Sequence, residues 1–138
     1  MKKSFSVAAI AVVMFAALVN LSSCEKDEGK LPNIAFKTGS SYTSADATVT
    51  SGDPFLVGIN ASKSEDEDVL KTFNVSRSDD GAAAVDVETT TLTGSQGDSY
   101  SRDLTYVAPA AGHTAKYSFT VTNRDGLVNT VSLTVTGQ

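Results

Sequence analysis

The amino-acid sequence predicts an all-β protein, an antiparallel β-sandwich of about seven or eight strands with Greek-key connections. Three observations support this fold class. Apolar and polar residues alternate with a period of two from Asn33 onward, turn residues interrupt the alternation about every ten residues, and no segment keeps a helical period. The composition agrees, because Thr, Ser, Val and Asp are frequent and Trp is absent.

Each predicted strand is marked by alternating apolar residues that we expect to face the core. In chain order they are Ile34 and Phe36, with Ala47 and Val49 continuing the same strand beyond an irregular stretch; Phe55, Val57, Ile59 and Ala61; Leu70, Phe73 and Val75; Val85 and Val87; Leu104 and Tyr106; Tyr117, Phe119 and Val121; and Val131, Leu133 and Val135. Polar or Gly-containing breakers separate them at 39–41, 51–54, 64–68, 79–81, 93–99, 109–112 and 123–126. The first breaker is typical of an edge strand that switches sheets. The last predicts a hairpin turn in which Gly126 supplies a positive φ.

The N-terminal segment has the features of an export signal. Lys2 and Lys3 precede an apolar run from Val7 to Val19. A helix of that length measures roughly 20 Å, which is shorter than the roughly 30 Å hydrocarbon core of a membrane. The run is followed by Leu21-Ser22-Ser23-Cys24, which resembles the lipobox of bacterial lipoproteins. The resemblance implies a signal peptide over 1–23, lipid attachment at Cys24 and a membrane anchor. The alternative is a secreted protein that retains a cysteine near its start.

The residues after Cys24 predict where the domain is displayed. Glu25, Lys26, Asp27 and Glu28 resemble the acidic export signal of surface lipoproteins from the Bacteroidetes. The resemblance implies a domain on the outer surface of the outer membrane, whereas a plain charged tether would leave it facing the periplasm. Because residues up to Pro32 have little apolar content, we expect 24–32 to be a flexible tether and 33–138 to be the domain.

The end of the chain carries a second resemblance. Ala110-Ala111-Gly112 through Val121-Thr122-Asn123-Arg124-Asp125-Gly126, ending in Val131 to Val135, resembles the last two strands of immunoglobulin-like modules of the polycystic-kidney-disease and cadherin-like kind. The central Trp of the polycystic-kidney-disease type is missing, so the resemblance implies only the immunoglobulin-like fold. As a whole the chain is similar to small Bacteroidetes lipoproteins with one such domain.

Charge excludes nucleic acid as a partner. Of the 11 basic residues, Lys2 and Lys3 belong to the signal, which leaves 9 against 16 acidic residues and a charge of −7 on the mature chain. No basic stripe is present to displace phosphate counterions.

Catalytic and zinc sites have little support in the sequence. His113 is the only histidine and Cys24 the only cysteine, which excludes an ordinary zinc site. No Gly-x-Ser-x-Gly elbow supplies a nucleophile, and His113 is predicted to be an exposed loop residue. We therefore assign no catalytic residue, although a small glycan-processing hydrolase remains an alternative.

Calcium is the one metal that the sequence brings into consideration. Carboxylates are concentrated in Glu65, Asp66, Glu67 and Asp68 and again in Asp79 and Asp80, and cadherin-like modules bind calcium through loop carboxylates. Neither run has an ordered ligand motif, so solvated acidic loops are favoured over a calcium-stiffened spacer or adhesin.

The predicted function is that of a non-enzymatic lipoprotein of the cell envelope, a binding or structural accessory module for a glycan or a protein. Tyr42 and Tyr100 are predicted to lie in loops, where their rings could stack on a sugar, although partly buried loop anchors are favoured. No cofactor is required by the pattern.

Overall fold

Alternating side chains produce eight strands in residues 29–138, the part of the chain that the computed structural model describes. The strands are β1 Asn33–Phe36, β2 Ala47–Val49, β3 Pro54–Ser62, β4 Leu70–Asp79, β5 Val85–Thr91, β6 Ser99–Val107, β7 Thr114–Asn123 and β8 Val128–Gly137. A short 3-10 helix, Gly94–Gly97, precedes β6. The all-β prediction is confirmed.

The strands form two sheets. One has three strands in the order β1-β3-β6, and the other has five in the order β2-β8-β7-β4-β5. All neighbours pair antiparallel except β2 and β8, which are parallel. The predicted β-sandwich is therefore confirmed, with one parallel pair among otherwise antiparallel neighbours. The physical reason is the sheet switch: β1 pairs in the first sheet, and the chain then crosses so that β2 joins the second beside β8.

The connections are those of an immunoglobulin-like Greek key. The chain crosses between the sheets from β3 to β4, from β5 to β6 and from β6 to β7, while β4–β5 and β7–β8 are hairpins. Crossing connections of this kind place β3 beside β6 and β4 beside β7, although neither pair is consecutive in sequence.

The core lies between the sheets, where the apolar faces of β3, β4, β6, β7 and β8 meet. Its fully enclosed side chains include Ile59, Phe73 and Phe119, each 0% exposed. Tyr106 stacks on Tyr117 with ring centroids 4.4 Å apart. These residues are among those that the alternation predicts as inward-facing, so the period of two locates the core correctly.

The edge strand β5 departs from the prediction. The sequence predicts that Val85 and Val87 face the core, but they are 68% and 52% exposed, so this prediction is wrong. A bulge shifts the register between β4 and β5, and Glu88 is the residue that lies opposite Val75. Glu88 consequently forms an ion pair with Arg102 of β6. The five-stranded sheet is also wider than the three-stranded one, so its edge has less to pack against.

Candidate functional site

The loops of the sandwich gather at two opposite ends. The strap end consists of residues 29–32, which we call the strap, with the β3–β4 loop and the β7–β8 turn. The far end consists of the β4–β5 turn and the β6–β7 connection. Because β4 joins the two ends with a rise of about 3.3 Å per residue, they lie roughly 30 Å apart.

The two acidic runs predicted for calcium lie at different ends. Glu65 to Asp68 precede β4, whereas Asp79 and Asp80 lie at its last residue and in the following turn. They therefore cannot contribute to one site. Within residues 29–138, no group of three or more His, Cys, Asp or Glu side chains has an arrangement that could hold a metal ion.

The acidic loop at the strap end is held by hydrogen bonds. Asp68 is only 2% exposed and accepts the backbone N–H of Val69 at 2.7 Å and the side-chain amide of Asn123 at 2.5 Å. The side-chain carbonyl of Asn123 in turn accepts the N–H of Leu127 at 2.8 Å. Asp68 thus connects the β3–β4 loop to the β7–β8 turn, and its role in the described structure is to join these loops.

A surface cavity of about 350 Å³ lies beside this connection. It is lined by Gly29, Glu65, Asp66, Glu67, Asp68, Arg124 and Asp125. Glu65 is already engaged, because its carboxylate accepts the backbone N–H of Lys30 at 3.1 Å. The strap therefore forms part of the wall of this cavity.

The strap is part of the folded domain. The amide of Asn123 donates to the carbonyl of Lys30 at 3.3 Å, Ser64 Oγ donates to the carbonyl of Leu31 at 2.5 Å, and Asn129 donates to the carbonyl of Pro32 at 2.9 Å. The Pro32 ring is buried. Residues 29–32, which the sequence assigns to the end of a tether, are thus attached to the domain through backbone groups, a means of attachment that composition does not reveal.

The far end carries a paired histidine. His113 Nδ1 lies 2.7 Å from an Asp80 carboxylate oxygen, and the other oxygen accepts the N–H of Thr114 at 2.8 Å. Asp80 has a positive φ of 49° in the tight turn after β4. As predicted, His113 is exposed, but its imidazole is held in one orientation by Asp80.

Electrostatics at the far end follow from these contacts. The hydrogen bond from the Thr114 backbone, followed by that from His113, lowers the pKa of Asp80 below its ordinary value. The hydrogen bond to Asp80 raises the pKa of His113 in return. Arg77 Nε pairs with Asp79 at 2.7 Å, and its guanidinium lies 5.5 Å from the centre of the Tyr117 ring. Arg77 and His113 are thus each paired with a neighbouring carboxylate.

These residues surround a second cavity, of about 300 Å³. Its lining consists of Arg77, Asp79, Asp80, Pro109, Ala110, His113 and Thr114. The sequence gives no direct signal for this cluster, since Asp80 and His113 are 33 residues apart and no spacing motif relates them. Only the pairing of β4 with β7 brings them together.

Tyr42 lies on the outer face of the three-stranded sheet. Its hydroxyl donates to Asp103 at 3.2 Å, and Lys37 Nζ pairs with the same carboxylate at 2.7 Å, which lowers the pKa of Asp103. The Tyr42 ring lies directly over Gly58 of β3. A Cβ added at Gly58 would lie 2.6 Å from this ring, so only glycine leaves room for it. Tyr42 lies in the loop between β1 and β2, as predicted; it is partly exposed, and its ring packs on β3 at Gly58.

Tyr100 is a correction to the sequence prediction. It lies in β6, is 8% exposed and packs 5.2 Å from the ring of Phe73, so its faces are not presented to a sugar. Its hydroxyl accepts a hydrogen bond from Arg102 at 3.1 Å. The sequence prediction assigns Tyr100 to a loop because β6 begins with polar residues, Ser99 and Ser101, on either side of it.

Cys24 and the run Glu25, Lys26, Asp27 and Glu28 lie outside the described residues. The described part of the chain, from Gly29 to Gln138, contains no helix that is long and apolar enough to cross a membrane.

Comparison with known proteins bears on the fold alone. No protein-family model matches the chain. No curated protein matches it either. A solved structure of a variant of the superoxide reductase (neelaredoxin) from Ignicoccus hospitalis is similar with a TM-score of 0.55 at 9% identity, covering 84% of this chain and 86% of that one.

A second structure of superoxide reductase from the same organism gives a TM-score of 0.52 at 10% identity, covering 79% and 81% of the two chains. The β-sandwich is therefore a fold that an enzyme also uses. At this identity the likeness transfers no activity, because unrelated functions share such folds.

Proposed function

We propose that this protein is a non-enzymatic lipoprotein of the outer membrane, anchored through Cys24 and exposed at the cell surface. Its sandwich presents the far end to a glycan or protein ligand. The observation that supports this proposal is the strap, because hydrogen bonds to Glu65, Ser64, Asn123 and Asn129 fix which end of the domain is nearest the anchor.

The distance from the anchor to the domain is limited by covalent geometry. Five peptide units join Cys24 to Gly29, and a fully extended chain of that length spans at most roughly 18 Å. With lipid on Cys24, the strap end stays close to the membrane. The far end lies roughly 30 Å beyond it, where a ligand outside the cell can reach it.

Lipid attachment is tested by growing cells with an alkyne-bearing palmitate and comparing the wild type with Cys24→Ala. We expect label on the wild type and none on the variant. Unlabelled wild-type protein would overturn the anchor.

Surface exposure is tested on intact cells with proteinase K. The matched control replaces Glu25, Asp27 and Glu28 with alanine and leaves Cys24 in place, so that lipid attachment is preserved. We expect digestion of the wild type and protection of the control. Protection of both lipidated proteins would overturn surface display and favour a domain that faces the periplasm.

A further inference from the structure

We propose that the far-end cavity binds one ring of a neutral, polyhydroxylated ligand such as a pyranose. The cavity is about 300 Å³ in volume, at the lower limit for ligand sites, and therefore fits a single ring better than a chain of them. The assignment rests on the proposed function, which places this end outward.

The charges of the cavity select a neutral ligand. Arg77 lies beside Asp79, and His113 lies beside Asp80, so hydrogen-bond donors and carboxylate acceptors line the same opening. A carboxylate or phosphate entering here would face two aspartates, and an ammonium group would face Arg77. A hydroxyl group both donates and accepts, so neighbouring hydroxyls on a ring match both kinds of group.

The donors are held in place before any ligand arrives. Asp80 engages His113 through Nδ1, which leaves Nε2 for another partner. The connection that carries His113 is joined to β8, because Gly112 N–H donates to the Gly137 carbonyl and Gly137 N–H donates to the His113 carbonyl, both at 3.0 Å. Groups fixed in this way lose little entropy on binding.

A buried tyrosine beneath Arg77, one of the residues that line the cavity, adds to the argument. Tyr117 is 1% exposed, and its hydroxyl has no hydrogen-bond partner among the described residues. Its pKa, raised mainly by burial, also responds to the charges of Arg77 and Asp79, both of which line the cavity. Arg77, which is partly exposed, lies over the Tyr117 ring, with its guanidinium 5.5 Å from the ring centre.

Apolar surface completes the cavity. Pro109 and Ala110 also line it and offer contacts for the C–H face of a ring. Because the cavity is open and offers few polar contacts, we expect a dissociation constant in the millimolar range for a single pyranose ring.

The test is saturation-transfer NMR on the lipidated protein in detergent micelles. The probes are the methyl pyranosides of glucose, galactose and mannose, with glucuronate and inorganic phosphate as charged comparators. Arg77→Met keeps an alkyl chain over Tyr117 but removes the donors. Arg124→Met is the matched control, because Arg124 is half-exposed and lines the cavity of similar size at the strap end.

We expect saturation transfer to at least one methyl pyranoside, a loss of at least about tenfold in Arg77→Met, and no change in Arg124→Met. Three results would each overturn the assignment. They are no saturation transfer to any of the three pyranosides, saturation transfer only to glucuronate or phosphate, and an undiminished signal in Arg77→Met. None of these results bears on lipid attachment or surface display, which are measured separately.

Discussion

The two ends of the sandwich use the same kind of contact for different purposes. At the strap end, Asp68 accepts a hydrogen bond from Asn123, and each residue is only 2% exposed. At the far end, Asp80 holds His113, with side chains 52% and 60% exposed. Both pairs join distant parts of the chain. Burial makes the first pair part of the framework, whereas exposure leaves the second open to ligands.

The physical reason is solvent competition. A buried carboxylate that loses its partner has no water to replace it, so the pair is essential to the fold. An exposed pair exchanges readily with water and contributes little to stability, but its groups remain available for recognition. The ends should therefore differ in how mutation affects stability.

The largest effect is expected for Asn123→Ala. The change removes the amide that donates to Asp68 and the carbonyl that accepts from Leu127, leaving a buried carboxylate oxygen without its partner. We expect a loss of about 3 kcal/mol in the free energy of unfolding, measured by urea denaturation. Asn129→Ala loses its bond to the Pro32 carbonyl and an exposed bond from the Thr130 N–H, and should cost about 1 kcal/mol. Equal losses in both variants would contradict the special role of the buried pair.

A smaller effect of opposite sign is expected for Tyr117→Phe. The Tyr117 hydroxyl is buried without a partner among the described residues, so its removal should stabilise the protein by about 1 kcal/mol. Tyr100→Phe is the control, because that hydroxyl accepts from Arg102 and its loss should destabilise the protein by about 1 kcal/mol. Thermal unfolding of both variants measures these changes. A lower Tm in Tyr117→Phe would show that the Tyr117 hydroxyl has a hydrogen-bond partner in the wild type.

The smallest effect is a pH dependence at the far end. The pKa of His113 is raised above its ordinary 6.5, so the stability that its pair with Asp80 adds is present below pH 6.5 and fades as pH rises through the raised pKa. The pKa of Asp80 is lowered below 3.8, so the contribution also fades in strong acid, as pH falls through that lowered pKa. The difference in Tm between wild type and His113→Gln should therefore be greatest between these limits and shrink on going to about pH 8. A difference that grows with pH would contradict the pairing.

Most of the framework follows from the sequence because one rule controls it. A side chain in a strand faces the opposite direction from its neighbours, so alternation identifies the inward residues of the paired central strands, such as Ile59 and Phe119. The same rule fails at Val87 because a bulge shifts the register and an edge strand has less to pack against. The prediction that Tyr100 lies in a loop is wrong because β6 begins with polar residues around it.

The cavities could not be predicted from the sequence. The Asp80–His113 pair depends on two strands pairing across 33 residues, and the strap depends on carbonyls accepting from Asn123 and Asn129, more than 90 residues away. Contacts between residues so far apart in the chain leave no local pattern in the sequence. The acidic runs were visible as composition, but only the topology shows that they lie at opposite ends.

The proposed orientation of the domain is tested most directly by measuring how far each end lies from the membrane. If Cys24 is lipidated as proposed, it has no free thiol, so a single cysteine can be introduced at Asp125 of the strap end or at Ala83 of the far end and labelled with a fluorescent donor. The protein is then placed in bilayers that contain an acceptor on the lipid headgroups. We expect efficient energy transfer from residue 125 and weak transfer from residue 83. Equal transfer from the two positions would show that the strap does not hold the far end away from the membrane.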